Sequence, residues 1–472
     1  MACCLPHFLF RKRKHQASPS PLNILLSNGR FPVALDLARQ LHSAGHNVFV
    51  VDPMEYHVCK FSQAVKQSYY SPAPSVDTQG YIKTVKEAVQ KSEIDLIIPL
   101  HEEIFHLASC WDKEILDRLF APKFDILYRL HNKWTFSALM LELGFDVPEA
   151  HLCRSSDDVR ALDRSKEWAV KPILGRGSTG VHHLHKDRKD EDLPDINVSD
   201  EIPHIAQEWI RGKRYCTYGV FREGKMQALG IYPVLETLDG SSSVYFQALE
   251  HNGIRDYVRR IAETLKITGQ LAFDFVETEF ERQDKSNDEE TDLVGDRRSS
   301  GDITVVQGDA RSSFTTKSQR RLITIECNPR ATSGIHLWSR SPLLARVLTS
   351  GIRSPYVPAP NAIDYTQPSI PFKVLIAEPG SGRQLGPGML MWEHKNANFK
   401  RYIEHMKRLI WAHDVVFSWR DICPVLVQPF LLTSYYEICR ERGGISLADM
   451  YVPHLLTPLI LLPPFNLSVK SR

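Results

Sequence analysis

A lysine followed by a glycine-rich loop is the first candidate for chemistry in this sequence. Lys171 lies in a predicted strand at 167–172, and the loop follows at once. Glycine lets main-chain N–H groups approach phosphate oxygens, and the lysine adds a mobile positive charge. The small residues of the loop are Gly175, Gly177, Ser178, Thr179 and Gly180. The pattern predicts phosphate binding, and a plain β-hairpin turn is the alternative.

Oxygen-bearing side chains follow one another along a second predicted strand, at 322–327. Strand alternation places Glu326 and Asn328 on one face and Cys327 on the other. A carboxylate beside an amide oxygen suits Mg²⁺, which prefers oxygen ligands and keeps substrate phosphates in its shell. Arg330 lies just beyond, placed to bind a phosphate or carboxylate in bidentate fashion, and Asp274 on another predicted strand offers a second carboxylate. The alternative is an exposed strand face that ends in a proline turn.

A third candidate is the short predicted strand at 205–210, which a glycine turn follows. Its last residues are Glu208, Trp209 and Ile210. Such a strand could present its main chain to the edge of an adenine ring. A plain hydrophobic strand is the alternative.

Strands and helices that alternate must position these residues. Near the N-terminus, predicted strands at 22–27, 46–52 and 95–99 alternate with helices at 32–44 and 80–91. Alternation of this kind is typical of a parallel, doubly wound α/β sheet, which we expect over 21–120. The first turn lacks the G-x-G-x-x-G pattern of dinucleotide-binding sheets, so a nicotinamide-dependent oxidoreductase is disfavoured.

A second unit is expected over 121–340. It contains a predicted helix at 133–143 and the strands that carry the candidate residues, and further strands are predicted at 215–222, 226–233 and 271–277. The stretch 279–320 has few apolar residues, so we predict a disordered insertion there. The region 341–472 begins with proline-rich linkers and continues with a helical pattern at 392–412, and we expect it to be mostly helical.

Bulk composition excludes several classes of protein. The 472 residues include 58 basic and 56 acidic ones, a balance that gives no reason to expect nucleic acid as a partner. Nine cysteines without a C-x-x-C pair predict reduced thiols in a cytoplasmic protein. The first 20 residues are expected to be a flexible leader, with a nuclear signal or palmitoylation of Cys3 and Cys4 as alternatives. The apolar stretch 455–462 is far shorter than the ~20 residues that span a bilayer, so no membrane association is expected.

The order of the candidates is more specific than any one of them. Lys133 comes first, then Lys171 with its glycine loop, the strand that ends at Ile210, Asp274, and finally Glu326-x-Asn328-Pro-Arg330. Over 22–340 this order resembles the ATP-grasp superfamily, which includes D-alanine ligase, biotin carboxylase and the carbamoyl-phosphate synthetase large chain. The resemblance implies an α/β protein with an ATP-grasp fold, preceded by a parallel-sheet preATP-grasp domain.

The resemblance also implies cofactors and roles. ATP and Mg²⁺ would bind, with Lys133 and Lys171 at the phosphates and the loop 175–180 folded over them. Glu208, Trp209 and Ile210 would line the adenine. Glu326 and Asn328 would hold magnesium, with Asp274 as a further acidic ligand. Lys171 and Arg330 would act in catalysis, Arg330 by stabilising the transition state that forms an acyl phosphate.

The reaction implied is ADP-forming ligation of a small-molecule carboxylate to an amine or thiol, in specialised biosynthesis. Substrate choice is expected to depend on the loops around 232–247 and around His336, and on the C-terminal region. One residue departs from the family pattern. Arg214 stands seven residues after Gln207, where many members carry a glutamate that binds ribose. Arginine cannot accept hydrogen bonds, so the ribose is held otherwise, Lys213 and Arg214 bind an anionic group, or the nucleotide site is damaged. A non-catalytic ATP-binding module is the alternative to a ligase.

Overall fold

The computed structural model describes residues 21–175, 180–189, 191, 193–238, 242–281, 318–352, 373–380, 382–391 and 398–441. The predicted leader, Gly177, Ser178, Thr179 and the region 282–317 therefore lie outside the described residues. In the part of the chain that the structure describes, no helix combines the length and the apolarity needed to cross a membrane.

The N-terminal unit is a parallel four-stranded sheet with the strand order β3-β2-β1-β4. Its strands are β1 Asn23–Ser27, β2 Asn47–Asp52, β3 Gln67–Tyr70 and β4 Leu96–Ile98. Its helices are α1 Pro32–Ser43, α2 Thr78–Lys91, α3 Glu103–Ser109 and α4 Lys113–Leu116. Apolar clusters cover both faces of the sheet, which confirms the doubly wound prediction. The order of strands reverses beside β1, so the carboxyl ends of β1 and β4 meet at a switch point, where such sheets bind ligands.

Sequence periodicity did not predict β3. This strand, Gln-Ser-Tyr-Tyr, lies at the edge of the sheet, and none of its four residues is buried. A short edge strand carries neither a continuous apolar run nor a clear alternation, so the periodic signal is missing.

A helix pair and a small antiparallel sheet follow. The helices are α5 Phe124–His131 and α6 Lys133–Glu142. The sheet, with the order β5-β8-β6-β7, consists of β5 Ala150–Cys153, β6 Trp168–Pro172, β7 His182–Leu184 and β8 His204–Glu208, with α7 Ser156–Arg160 after β5. Trp168 and Val170 are buried on one face beneath Val159 of α7. The other face of β6 therefore carries Lys171.

The largest sheet has the strand order β15-β14-β9-β10-β16. Its strands are β9 Lys213–Arg222, β10 Lys225–Pro233, β14 Gly269–Glu281, β15 Ser318–Asn328 and β16 Leu375–Ile376. Four short elements lie between β10 and β14 in the sequence. They are the paired strands β11 Thr237–Leu238 and β12 Ser242–Ser243, the strand β13 Tyr245–Phe246, and the helix α8 Asn252–Thr264. Helix α8 buries Ile254, Val258 and Ile261 against this sheet.

The predicted bounds of the insertion, 279–320, are wrong at both ends. Strand β14 continues to Glu281 and β15 begins at Ser318, and the two pair in register through this stretch. Arg320 and Glu279 form an ion pair across the hairpin at 3.3 Å. Main-chain hydrogen bonds of a continuing ladder need no apolar side chains, so composition alone misjudged where the strands end.

The described part of the C-terminal region packs on both preceding units. Its elements are α9 Leu343–Thr349, β17 Arg383–Gln384, α10 Gly386–Leu390, α11 Phe399–Trp411, β18 His413–Asp414 and α12 Cys423–Glu441, with β16 in the largest sheet and β13-β17-β18 as a small sheet. Arg39 of α1 pairs with Asp421 at 2.8 Å. The region is mostly helical in its described residues, as predicted.

Candidate functional site

Two lysines from different elements converge on one carboxylate. Lys133 is the first residue of α6, whose start is capped by the Asn132 side chain. Lys171 comes from β6. Their Nζ atoms lie 3.6 Å and 3.8 Å from the same Oε2 of Glu326, and all three side chains are largely buried. The structure therefore brings together three residues that are far apart in the sequence.

Glu326 and Asp274 face each other across β15 and β14. Asp274 donates a hydrogen bond to Glu326, so the two carboxyls share one proton. Burial and the negative charge of Glu326 raise the pKa of Asp274. Burial alone would also raise the pKa of Glu326, but Lys133 and Lys171 outweigh it, so that pKa is lowered. Glu326 is therefore the ionised member of the pair, and Asp274, whose pKa is raised to about 7, holds the proton below neutral pH.

The pKa of Lys171 is lowered to about 8. Burial is the main cause, and the attraction of Glu326 opposes it while the charge of Lys133 adds to it. Two buried ammonium groups beside one carboxylate leave positive charge without a counterion. An anion of higher charge, such as a polyphosphate, would neutralise it.

Two further residues extend this cluster and were not predicted from the sequence. Cys216 lies opposite Asp274 in the β9–β14 ladder and donates a hydrogen bond to it, while Tyr232 donates one to Cys216. Burial raises the pKa of the Cys216 thiol well above its usual range, so the thiol keeps its proton. Strand alternation alone cannot reveal this contact, because it depends on the register between two strands.

Arg330 is buried just past the end of β15, and a carboxylate from the N-terminal sheet binds it. Its Nε donates to Glu102 Oε1 at 3.0 Å, and Nη2 lies 2.8 Å from the same oxygen. Nη2 also donates to Asn328 Oδ1 at 3.3 Å. Burial lowers the pKa of Arg330. Glu102 follows β4 at the switch point of the N-terminal sheet, so this ion pair joins that switch point to the end of β15.

The glycine loop is joined to the same cluster at its start. Lys133 Nζ donates to the carbonyl oxygen of Gly175 at 2.8 Å. Gly180, where the description resumes, has φ +69°, a conformation that favours glycine. Lys133 therefore contacts the first residue of the glycine loop, and their common action on the ATP phosphates stays a prediction.

The predicted adenine segment follows β8. The N–H of Glu208 donates to the Glu149 carbonyl at 2.8 Å, and that of Trp209 donates to the Glu167 carbonyl at 2.9 Å. The N–H of Ile210 donates to no main-chain carbonyl of the described residues. Among the three predicted residues, Ile210 is therefore the one with a main-chain donor available for a base edge.

His336, which lies in a loop that we expect to influence substrate choice, has a completely buried side chain. Its Nδ1 lies 2.7 Å from Asp36 Oδ2 on α1, and Ser339 donates to the other oxygen of Asp36 at 2.9 Å. This contact fastens the segment after β15 to the N-terminal unit. The His336 side chain is therefore structural, and the role of the loop around it in substrate choice stays a prediction.

The segment 130–288 matches the family model of the ATP-grasp domain. This segment is an ATP-grasp domain. The resemblance predicted from residue order is thereby confirmed, and ATP with Mg²⁺ are the cofactors of such a domain. The match includes Lys133, Lys171 and Asp274, and it ends before Glu326 and Arg330, which the fold brings to the same place.

Three solved structures are similar to this chain, each with a TM-score below 0.5. An L-amino acid ligase from Bacillus licheniformis is 14% identical with a TM-score of 0.47, covering 69% of this chain and 74% of that one. An N5-carboxyaminoimidazole synthetase from Staphylococcus aureus is 13% identical, with a TM-score of 0.48 and coverage of 70% and 77%. A biotin carboxylase complex from Campylobacter jejuni is 14% identical, with a TM-score of 0.49 and coverage of 72% and 73%. No curated protein matches the chain. The ATP-grasp assignment rests on the family model and not on these structures.

Proposed function

We propose that this chain is an ATP-dependent, ADP-forming ligase. It activates a small-molecule carboxylate as an acyl phosphate and transfers the acyl group to an amine or thiol, in specialised biosynthesis. The observation that supports this most directly is the convergence of Lys133 and Lys171 on Glu326 in an ATP-grasp domain, with Arg330 just beyond the end of the strand that carries Glu326.

The donor set fits magnesium. Asp274 and Glu326 supply carboxylate oxygens and Asn328 supplies an amide oxygen, the hard oxygen ligands that Mg²⁺ takes alongside phosphate. The proton shared by Asp274 and Glu326 must leave when a cation binds between them. Bound there, Mg²⁺ would neutralise charge on the transferring phosphoryl group. These three residues are its proposed ligands.

The reaction needs positioning more than covalent protein chemistry. A carboxylate oxygen of the substrate attacks the γ-phosphorus, the bond to the β–γ bridging oxygen breaks, and ADP leaves. The acceptor nitrogen or sulfur then attacks the acyl carbon, phosphate departs with the C–O electron pair, and the acceptor loses its proton. Lys133 and Lys171 hold the phosphates, and Arg330 stabilises the charge that develops on the acyl phosphate.

The orientation of Arg330 supports its role. Glu102 binds Nε and Nη2 of the guanidinium, which fixes its plane. A guanidinium held in this way is aligned for a phosphate or carboxylate before the substrate arrives. Glu102 is thus a positioning residue for Arg330.

A non-catalytic ATP-binding module is the second candidate, and Arg214 favours it. This residue is exposed on β9, and its positive charge acts on Asp274. An arginine there offers the ribose hydroxyls no acceptor. Such a module would bind ATP and leave it intact with every substrate offered.

Release of ADP from the purified chain decides between the two. Mg·ATP is supplied with a panel of amino acids and other carboxylic acids, with and without amine acceptors. A ligase releases ADP and phosphate only when its carboxylate is present. AMP as the sole nucleotide product would contradict acyl-phosphate chemistry, and ATP binding without release on the whole panel would favour the binding module.

Two variants make the result specific. Glu326→Gln removes the carboxylate between the two lysines and should abolish substrate-dependent ADP release. Glu279→Gln changes an exposed glutamate of the same hairpin and should retain it. Loss of release in both variants would mean that the hairpin, and not the carboxylate at position 326, carries the effect.

A further inference from the structure

Three histidines follow the glycine loop, in the order His182-His183-Leu184-His185. Strand β7 contains the first three of these residues. Leu184 is buried against Trp168, so the alternation of the strand turns His183 and His185 to the opposite face. Two imidazoles thus lie on one side of the β6–β7 pair.

A carboxylate completes the group. The register pairs Trp168 with Leu184, which brings Glu167 opposite His185. One ligand atom from each of Glu167, His183 and His185 lies within 4.8 Å of the others. His183 Nε2 and Glu167 Oε2 are already 3.1 Å apart. A tetrahedral ion with bonds of about 2.0–2.1 Å needs donors roughly 3.4 Å apart, so small side-chain rotations suffice.

Neighbouring side chains hold two of these donors in place. The indole of Trp209 stacks on His183 with ring centroids 3.9 Å apart and planes 15° from parallel. Arg211 Nη2 donates to both oxygens of Glu167, at 3.0 and 2.7 Å. Contacts of this kind orient ligands and are typical of the second layer around a metal.

We propose that Glu167, His183 and His185 bind a transition-metal ion of the zinc class. Two imidazoles and one carboxylate suit Zn²⁺, Co²⁺ or Ni²⁺ and not Mg²⁺, which prefers oxygen. Three protein ligands leave a fourth position for water. His183 binds through Nε2 in the tautomer that carries its proton on Nδ1. This site lies on the same face of β6 as Lys171, apart from the proposed magnesium ligands, and it does not depend on the ligase proposal.

Titration of the full chain with Co²⁺ and Zn²⁺ tests the proposal. Co²⁺ should produce visible d–d absorption at one equivalent, without the near-ultraviolet charge-transfer band of a thiolate ligand. His185→Ala changes an exposed side chain, so folding should be kept, and its affinity should fall by more than the roughly 10–100-fold that loss of an outer-layer partner costs. His183→Ala should behave alike. Zn²⁺ should displace the Co²⁺ and remove the absorption.

His182→Ala is the matched control. It removes a histidine from the same strand whose side chain points to the opposite face, and its affinity should equal that of the unaltered chain. Co²⁺ binding that survives in both His183→Ala and His185→Ala would overturn the proposal. If that binding disappears in Glu326→Gln, the ion lies at the proposed nucleotide site.

Discussion

Protonation of His106 is expected to destabilise α3, the helix that begins directly after the positioning carboxylate Glu102. His106 lies on α3, which begins one residue after Glu102, and its side chain is buried. Nδ1 shares a hydrogen bond with Thr78 at 3.2 Å, whereas Nε2 has no hydrogen-bond partner among the described residues. Burial lowers the pKa of His106 from 6.5 to about 4.

The direction in which pH changes the stability follows from the pKa of His106 in the unfolded and in the folded chain. Because the pKa of His106 is lower in the folded chain, the unfolded chain takes up the proton first as the pH falls. The contribution of neutral His106 is complete above pH 6.5 and is lost progressively down to about pH 4. One pKa unit corresponds to about 1.4 kcal/mol, so the free energy of unfolding at pH 5 should be about 2 kcal/mol lower than at pH 7.

Hydrogen exchange of peptides from α3, measured in increasing urea at pH 7 and pH 5, gives the opening free energy of this helix. Local measurement is needed because a chain of this size need not unfold in one step. His106→Leu cannot titrate and should lose about 2 kcal/mol less between the two pH values than the unaltered chain. The other histidines titrate in both proteins, so their contributions to the free-energy loss cancel in the comparison. An equal loss in the two proteins would refute the reasoning.

Three further substitutions test the site. Lys171→Met removes a charged phosphate contact and should weaken ATP binding about tenfold or more, as measured by calorimetry; unchanged affinity would place the phosphates elsewhere. Glu102→Gln removes the carboxylate that forms the ion pair with the largely buried Arg330 and should lower the free energy of unfolding by about 3 kcal/mol. It should also reduce kcat in the ADP-release assay more than it raises KM. Stability unchanged in urea denaturation would contradict that ion pair. Asp274→Asn keeps a hydrogen-bond donor for Glu326 but removes a proposed metal ligand, so the Mg²⁺ concentration for half-maximal turnover should rise at least about tenfold; an unaltered Mg²⁺ dependence would exclude Asp274 as a ligand.

Local patterns in the sequence predicted much of the fold. Apolar runs with turns between them were sufficient for β1, α1, β2 and β4, because burial of a parallel sheet dictates such runs. The sequence did not predict the edge strand β3, because this strand is half exposed. It also did not predict that the hairpin strands extend to Glu281 and Ser318, because main-chain pairing does not require apolar side chains.

In the candidate site, too, the sequence predicted some features and only the fold revealed others. Order and alternation along single strands were enough to select Lys171 beside a glycine loop and Glu326 beside Asn328, since a strand turns every second side chain to one face. The sequence by itself thus identified the ATP-grasp domain and the residue types that we propose for binding phosphate and metal. Only the tertiary structure decided that Asp274 shares a proton with Glu326 and that Glu102 holds Arg330.

Tertiary structure also decided which histidines are structural and which face one another as ligands. His336 is buried against α1, while His183 and His185 lie across a strand pair from Glu167. Contacts of this kind join residues that strand register and domain packing bring together, and no local periodicity encodes register. Protonation follows the same contacts, because burial and neighbouring charge set a pKa, and both exist only once the chain is folded.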